Sequence, residues 1–562
     1  MAPTGRQSLV GEAGRRRAGG LPSGPPTRRA GAAFRGRRRM VVAAAFLLAW
    51  PLPGTAAAQD DDAAERAPLP VTRFELSNGM RFLVLPRQGA PTLAFVARFD
   101  VGSADDPPGM SGMAHLLEHL LFKGSSTIGT TGWVAERFYL ARIDAVADSL
   151  VALAVGEDGG ARVPPPRDAG VPRQGDAGVP AGVPSAEAES LAARLRALED
   201  SARAFVAPNE FAEILARNGA RGLNAITDHD ATTYFVELPS NRAELWFALE
   251  ADRMADPVFR EFYAERDVVL EERRLRVEDR AGGRLEEALL AEAYRVHPYG
   301  VPVAGTPEDL RRLTRRDVTG HHRRYYGPGN AIVAIVGDAD PRAMRAFAER
   351  YFGQIEPGGR PPPIAAVESA QTAPRRVHVR FDAGPEVRLA WHTVSAAHPD
   401  APALAVLASV LAGGVTSRLH RRLVVEDRSA VDVSAGGGPG EEFPGLFTVS
   451  AVPRAPFGPA DVEAAVLDEV ARISADPPAP RELAAVRNSA AMEEVERLSS
   501  NLGLAFQLTS SEALLGDWRR TFELPAELRE VTAADVARVA RTYLRPDGVT
   551  VATVGRGPEP RR

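Results

Sequence analysis

Ser111-Gly-Met-Ala-His115-Leu-Leu-Glu118-His119-Leu-Leu-Phe122 sets two histidines and a glutamate inside an otherwise apolar run. At 3.6 residues per turn, positions 115, 118 and 119 share one face of a helix. Leu116, Leu117, Leu120, Leu121 and Phe122 surround them, so the helix is expected to be almost wholly buried, where uncompensated charge is costly. Metal coordination removes that cost, because two imidazoles can grip one ion while Glu118 reaches a water bound to it. The order His-x-x-Glu-His reverses the more familiar His-Glu-x-x-His of metallopeptidases. The plain alternative is a set of solvent-facing or singly hydrogen-bonded side chains, and the apolar flanks count against it.

Such a site needs a third protein ligand. Glu265-Arg266-Asp267-Val268-Val269-Leu270-Glu271-Glu272-Arg273-Arg274 reads as a charged helix whose acids at 265 and 272 stand seven apart, nearly two turns, and so share a face. One of the two can ligate a metal and the other can support a ligand from behind. Taken alone, the segment reads equally as a solvated helix with Glu–Arg pairs.

Further segments follow in order: Phe122-Lys-Gly after the histidine motif, Gly222-Leu-Asn-Ala225-Ile-Thr227 leading to Thr233-Tyr234-Phe235, and Glu265-Arg266 with Glu272. His297-Pro-Tyr-Gly300 with Pro302 and Gly305 comes next, then Tyr326-Gly-Pro-Gly-Asn330 running into Val333-Ala-Ile-Val-Gly337. From about residue 70 to the end the chain resembles the insulinase and pitrilysin metallopeptidases, an inverzincin family, and within it the bacterial branch similar to mitochondrial processing peptidase. The resemblance implies one zinc ion held by His115, His119 and Glu272, with Glu118 the general base activating a zinc-bound water. It makes Glu265 a carboxylate that supports a ligand, and it selects Glu272 over its neighbour Glu271 because the family's ligand follows the leading glutamate by seven residues. It implies a zinc-dependent endopeptidase of extended or unfolded peptides, with Asn224 and Ala225 on a strand that binds substrate. The stretch Thr232 to Val236 is expected to share that role, through main-chain pairing at an exposed edge, with an interior strand of the sheet the equal alternative from pattern alone. The alternative within the same fold is a non-catalytic chamber or peptide-binding subunit, against which the intact set of His115, Glu118, His119 and Glu272 speaks.

The chain has 562 residues, 44% hydrophobic and 25% charged, an ordinary soluble composition with room for two to four domains. It has no cysteine, which excludes disulfides and thiolate metal sites and leaves only His and carboxylate ligands. Clustered arginines before Met40-Val-Val-Ala-Ala-Ala-Phe-Leu-Leu-Ala-Trp, and then Thr55-Ala-Ala-Ala58-Gln59, have the layout of a secretory signal cleaved near Ala58. Residues 1–58 are therefore expected to be leader and signal, with translation starting at Met1 or a later methionine, and 59–69 a polar linker. The mature chain is expected in the periplasm or outside the cell, without a stable membrane span. The rival reading, a basic arm for nucleic acid, is disfavoured by the apolar core of the signal. Residues 1–58 hold ten arginines and a single acid, Glu12, so losing them moves the formal charge from −5 to −14, unsuited to nucleic acid.

Sliding the sequence by 218 residues places Thr314, Asp317, Tyr325, Pro328, Val333, Ala334, Val336 and Gly337 on Thr532, Asp535, Tyr543, Pro546, Val551, Ala552, Val554 and Gly555. Each copy is a helix entering a buried strand, which indicates an α+β fold of two homologous domains. Each is expected to be an α/β sandwich, a mixed and mostly antiparallel sheet with helices packed on it. In the family the pair forms half of a clam-shell chamber. The expected division is 70–355, a linker at 356–375 rich in Pro and Gly, 376–556, and a tail at 557–562. The first domain opens with a hairpin turning at Asn78-Gly79 and a third strand over Thr92 to Val101.

The second domain has Ala401 to Leu411, a helix without histidine, where the metal helix would stand, so it is expected to be non-catalytic. Family members present an Arg and a Tyr about seven residues on in this domain, yet no tyrosine occurs between Tyr351 and Tyr543. The expectation is a homologous subunit supplying that pair in a heterodimer, or a homodimer. His119 and Glu272 lie 153 residues apart, about twice the family's usual separation. The excess falls in 134–206: helical patterns over Val134 to Leu153 and Ala186 to Phe205 flank a low-complexity stretch with two copies of Asp-Ala-Gly-Val-Pro. The pattern reads as a helical hairpin with a tip expected to be disordered, which either gates the chamber, holds a partner or is a tolerated surface insertion.

Overall fold

Alternation in Val71–Leu76 and in Met80–Leu85 builds two strands, and Gly79 at φ 85° makes the tight turn between them that a Cβ would strain. The resulting hairpin pairs β1 (Thr72–Glu75) antiparallel with β2 (Arg81–Pro86). A computed structural model describes residues 69–158 and 186–557, and the described residues form one compact unit. Residues 1–68, where the leader, the signal and most of the first linker are expected, the expected hairpin tip at 159–185 and the tail from 558 lie outside the described residues.

The first half continues with β3 (Thr92–Phe99), α1 (Met113–Leu120), α2 (Trp133–Asp158), α3 (Ala186–Arg203) and α4 (Glu210–Arg217). After it come β4 (Arg221–Thr227), β5 (Thr232–Pro239), α5 (Ala243–Ala255), α6 (Phe262–Arg273) and α7 (Ala281–Ala293). α8 (Pro307–Arg312), α9 (Arg315–Tyr325), β6 (Ala331–Gly337) and α10 (Pro341–Phe352) complete it. From there to β7 (Arg375–Arg380) the chain has no long regular element. The second half then runs β8 (Glu386–His392), α11 (Ala401–Ala412), β9 (Ala430–Gly438), β10 (Leu446–Pro453), α12 (Pro459–Ala475) and α13 (Pro480–Ser499). It ends with α14 (Asn501–Leu514), α15 (Arg520–Glu530), α16 (Ala533–Tyr543) and β11 (Val549–Gly555).

Two mixed sheets carry these elements. Their orders are β1-β2-β6-β3-β5-β4 and β7-β11-β8-β10-β9. Apart from β1 the two correspond strand for strand: β6 is parallel to β2 and antiparallel to β3, as β11 is parallel to β7 and antiparallel to β8. The helices entering β6 and β11 correspond too. Thr314 caps α9 and Thr532 caps α16, each in a reciprocal box with the aspartate three residues on.

The strand β6 is apolar throughout because both of its faces are covered. Ala331, Val333 and Ile335 join the core under α1, α5 and α10. Ile332, Ala334 and Val336 pack with Leu83, Leu85 and Val96 against Leu504, Ala505 and Leu508 of α14, a helix of the second half. The reverse holds on the other sheet, where Ala390, Leu446, Ala552 and Val554 are covered by Leu285, Leu289 and Leu290 of α7 from the first half. The two halves thus exchange helices. Among the described residues no helix is long and apolar enough to cross a membrane.

Candidate metal centre

Burial and capping position the histidine helix. Asp106 accepts the N–H groups of Gly112, Met113 and Ala114 at 2.8, 3.1 and 3.0 Å, which starts α1 two residues before His115. Gly112 sits at φ 86°, where a Cβ would stand 2.8 Å from Leu310 Cδ2. Leu116, Leu117 and Leu120 are sealed in the core, and the face carrying 115, 118 and 119 turns toward α6 and β4.

α6 delivers both of its acids to that face. Glu272 Oε1 lies 3.7 Å from His115 Nε2 and its Oε2 lies 3.4 Å from His119 Nε2, while Glu265 Oε2 lies 3.5 Å from His119 Nδ1. Glu271 points away, more than half-exposed, and pairs with Arg274 at 2.6 Å. One ligand atom each from His115, His119 and Glu272 fits within 4.8 Å, and no other trio among the described residues does so. Two imidazoles and a carboxylate are the donor set of catalytic zinc sites that keep a fourth position open, so the residues present fit the metal that the sequence implies.

The electrostatics distinguish the neighbours. Burial, with His119 beside it, pulls His115 down to about 4, which keeps its nitrogen lone pair available at neutral pH. Burial also works against the charged form of His119, but Glu265, Glu272 and Glu118 outweigh it and raise that imidazole above its ordinary value. Burial raises the carboxyl of Glu118, and a 2.6 Å hydrogen bond from Thr227 Oγ1 to its Oε2 offsets part of the rise.

Asn224 and Ala225 lie on β4, which bonds only to β5 and forms the sheet's edge among the described residues. Asn224 is exposed and Ala225 is buried, as alternation requires, and the register slips between Arg221 and Asn224. The stretch Thr232 to Val236 is different from the expectation: it belongs to β5, which is paired on both sides with β3 and β4 and offers no edge. Sequence reasoning also missed three contacts. Thr227 ends the quoted Gly222–Thr227 motif, but its contact with Glu118 depends on how β4 meets α1. Lys123, in Phe122-Lys-Gly, bridges Glu265 at 2.5 Å and Glu261 at 3.2 Å. Arg276 reaches Glu272 at 2.5 Å from a π-helical turn, Arg274–Glu278, that follows α6.

Comparison with known proteins identifies the family. The model of the insulinase family, peptidase family M16, matches residues 85–136 and 201–307, breaking off across most of α2 and α3. The model of the M16 inactive domain matches residues 312–490. A zinc protease of Helicobacter pylori, PqqE, is 30% identical over 232 residues, 39% of this chain and 51% of the relative, so the match spans about half of that protein's length. A probable mitochondrial-processing peptidase subunit beta of Schizosaccharomyces pombe is 25% identical over 376 residues, 61% of this chain and 77% of the relative. The crystal structure of a protease from Helicobacter pylori superposes with a TM-score of 0.68 at 21% identity, covering 86% of this chain and 99% of that one, a likeness of fold. With both models of one family matched in order and zinc proteases among its relatives, the chain belongs to the insulinase family of peptidases, M16.

Proposed function

We propose that this chain is a zinc-dependent endopeptidase of extended or unfolded peptides, its single zinc held by His115, His119 and Glu272. The observation that carries the reading is the meeting of these three, with Glu118, across 153 residues of sequence. A zinc ion bound there supplies Lewis acidity, which polarises a scissile carbonyl and eases deprotonation of a water. Glu118 is the general base. Thr227 occupies its Oε2, leaving Oε1 to take the proton of the attacking water and pass it to the leaving amine. The burial that raises its carboxyl makes it the stronger base and favours the first of these transfers. Glu265, tied to Lys123, holds the ring of His119 in one orientation. The outer edge of β4 is the substrate rail: a peptide pairing along Asn224 and Ala225 runs toward Thr227, and so toward Glu118.

The absence of a tyrosine between Tyr351 and Tyr543 supports a partner, a homologous subunit that supplies an Arg and a Tyr to the transition state. The basic start and short apolar core before Ala58 support export. Metal analysis of the purified chain, joined to an assay on an unfolded polypeptide, tests the central reading. About one zinc per chain is expected, with cleavage abolished by a chelator and restored by zinc. A metal-free protein, or cleavage indifferent to the chelator, contradicts it. Full activity of the chain alone, unchanged by any homologous subunit, removes the partner.

A further inference from the structure

The hairpin of α2 and α3 lies largely outside the matched family segments, and its base, where the first segment ends at residue 136, is tied to the metal centre through a fully desolvated ion pair. Arg260, 1% exposed, donates from Nε to Oε1 of Glu136 at 2.8 Å, and Glu136, in the first turn of α2, is wholly buried. Nη2 also reaches Oε2 of Glu136 at 3.4 Å, and the remaining donor contacts go to main chain. Nη2 donates to the carbonyl oxygen of Ser125 at 2.7 Å, and Nη1 to those of Ile128, at 3.0 Å, and Lys123. The turn 123–129 is therefore folded round one guanidinium. Gly124 and Gly129, at φ 88° and 85°, permit it, and a Cβ on Gly129 would stand 2.7 Å from Arg260 Nη1.

That turn opens with Lys123, whose ammonium bridges Glu261 and Glu265, and Glu265 faces His119. A contiguous path leads from Glu136 on the inserted hairpin, through Arg260 and the main chain of 123–129, to Lys123, Glu265 and a ligand of the metal. Exposed contacts would suffice to attach a surface insertion. Burying a charge from it against a charge beside α6 is costly unless each is fully paired, as these are. We infer that Arg260, its charge balanced by Glu136 of the inserted hairpin, is a positioning residue of the metal centre, setting where Lys123 stands and so how Glu265 holds His119.

The inference rests on the reading of His115, His119 and Glu272 as a zinc site, and the test separates the two. Zinc affinity of the full chain is measured by competition with a chelating dye, with thermal unfolding of the metal-free protein recorded alongside. Lys123→Met and Arg260→Lys are each expected to weaken zinc binding about ten- to a hundredfold, the usual size of losing a group that orients a ligand. Glu136→Gln is expected to weaken it in the same direction. The double variant Lys123→Met with Arg260→Lys should bind no more weakly than the weaker single, because both act through one contact. Variants that bind zinc as tightly as the parent overturn the inference while leaving the metal site intact, and so do losses that add in the double. A parent chain that takes up no zinc overturns both. Should Arg260→Lys not fold, the affinity of Lys123→Met, whose side chain lies at the edge of the site, decides alone.

Discussion

Glu118 and His119 are adjacent in the chain and meet opposite surroundings: burial dominates at the carboxyl, while three acids dominate at the imidazole. Glu118→Gln preserves shape and removes the base, so zinc content should stay at the parent's level while kcat/KM falls by a factor of about 10² to 10⁴. His115→Ala and Glu272→Gln should lose zinc as well as activity; a Glu118→Gln chain of parental activity rules out the assignment. The spacing of 115, 118, 119, 265 and 272 was legible because helical periodicity fixes which residues share a face. Thr227 and Arg260 were not, since each acts across contacts between elements distant in sequence. Away from the metal, burial pushes the carboxyl of Asp105 up to about 7, against a hydrogen bond from the N–H of Gly102 and with help from Glu442, Asp230 and Asp100. The native chain then holds a proton that the unfolded chain has released between about pH 4 and 7. Its stability should therefore fall as pH rises through that window. Unfolding midpoints across the window should fall less steeply in Asp105→Asn, and equal slopes would rule the assignment out.

At the scale of elements, the boundaries follow capping chemistry, and how legible each was depends on how local its cap is. The Thr-x-x-Asp boxes at 314 and 532 lie within four residues of sequence and announce α9 and α16. The cap of α1 does not. Asp106 precedes Gly112 by six residues and reaches it only because the intervening loop folds back. Removing it in Asp106→Ala leaves three N–H groups without their acceptor at a buried helix start, and should cost about 1–3 kcal/mol by denaturant unfolding. A loss within error of zero would mean that solvent reaches this terminus. The π-helical turn after α6 escaped notice for a related reason. One N–H, that of Asp279, bonds to the carbonyl of Arg274 at 2.8 Å, and a single wide turn leaves no trace in a periodicity of 3.6. For strand β5 an edge and an interior place both stayed open, because its alternation is the same whether one side or both are paired, and only sheet order decides that.

For the molecule as a whole, the internal repeat revealed two related sheets but not their dependence on each other. α7 and α14 read simply as helices with apolar residues, and nothing local tells which sheet each will cover. A Pro- and Gly-rich segment between the halves suggests domains that fold separately, whereas each sheet has one face closed by a helix from the other half. Residues 69–355 alone would leave Leu83, Leu85, Val96, Ile332, Ala334 and Val336 facing water, all of them fully buried in the intact chain. At about 25 cal/mol per Å² of apolar surface, baring one face of a sheet outweighs the net stability of a typical domain. That fragment should therefore be insoluble, or soluble only when residues 356–557 are produced with it. The intact metal-free chain from residue 69 should unfold in one transition seen alike by tryptophan fluorescence and far-ultraviolet dichroism. A soluble, cooperatively folding fragment 69–355 that binds zinc on its own would show that the exchanged helices are dispensable to the metal centre. Two separated transitions in the intact chain would show that the halves are energetically independent despite their exchange.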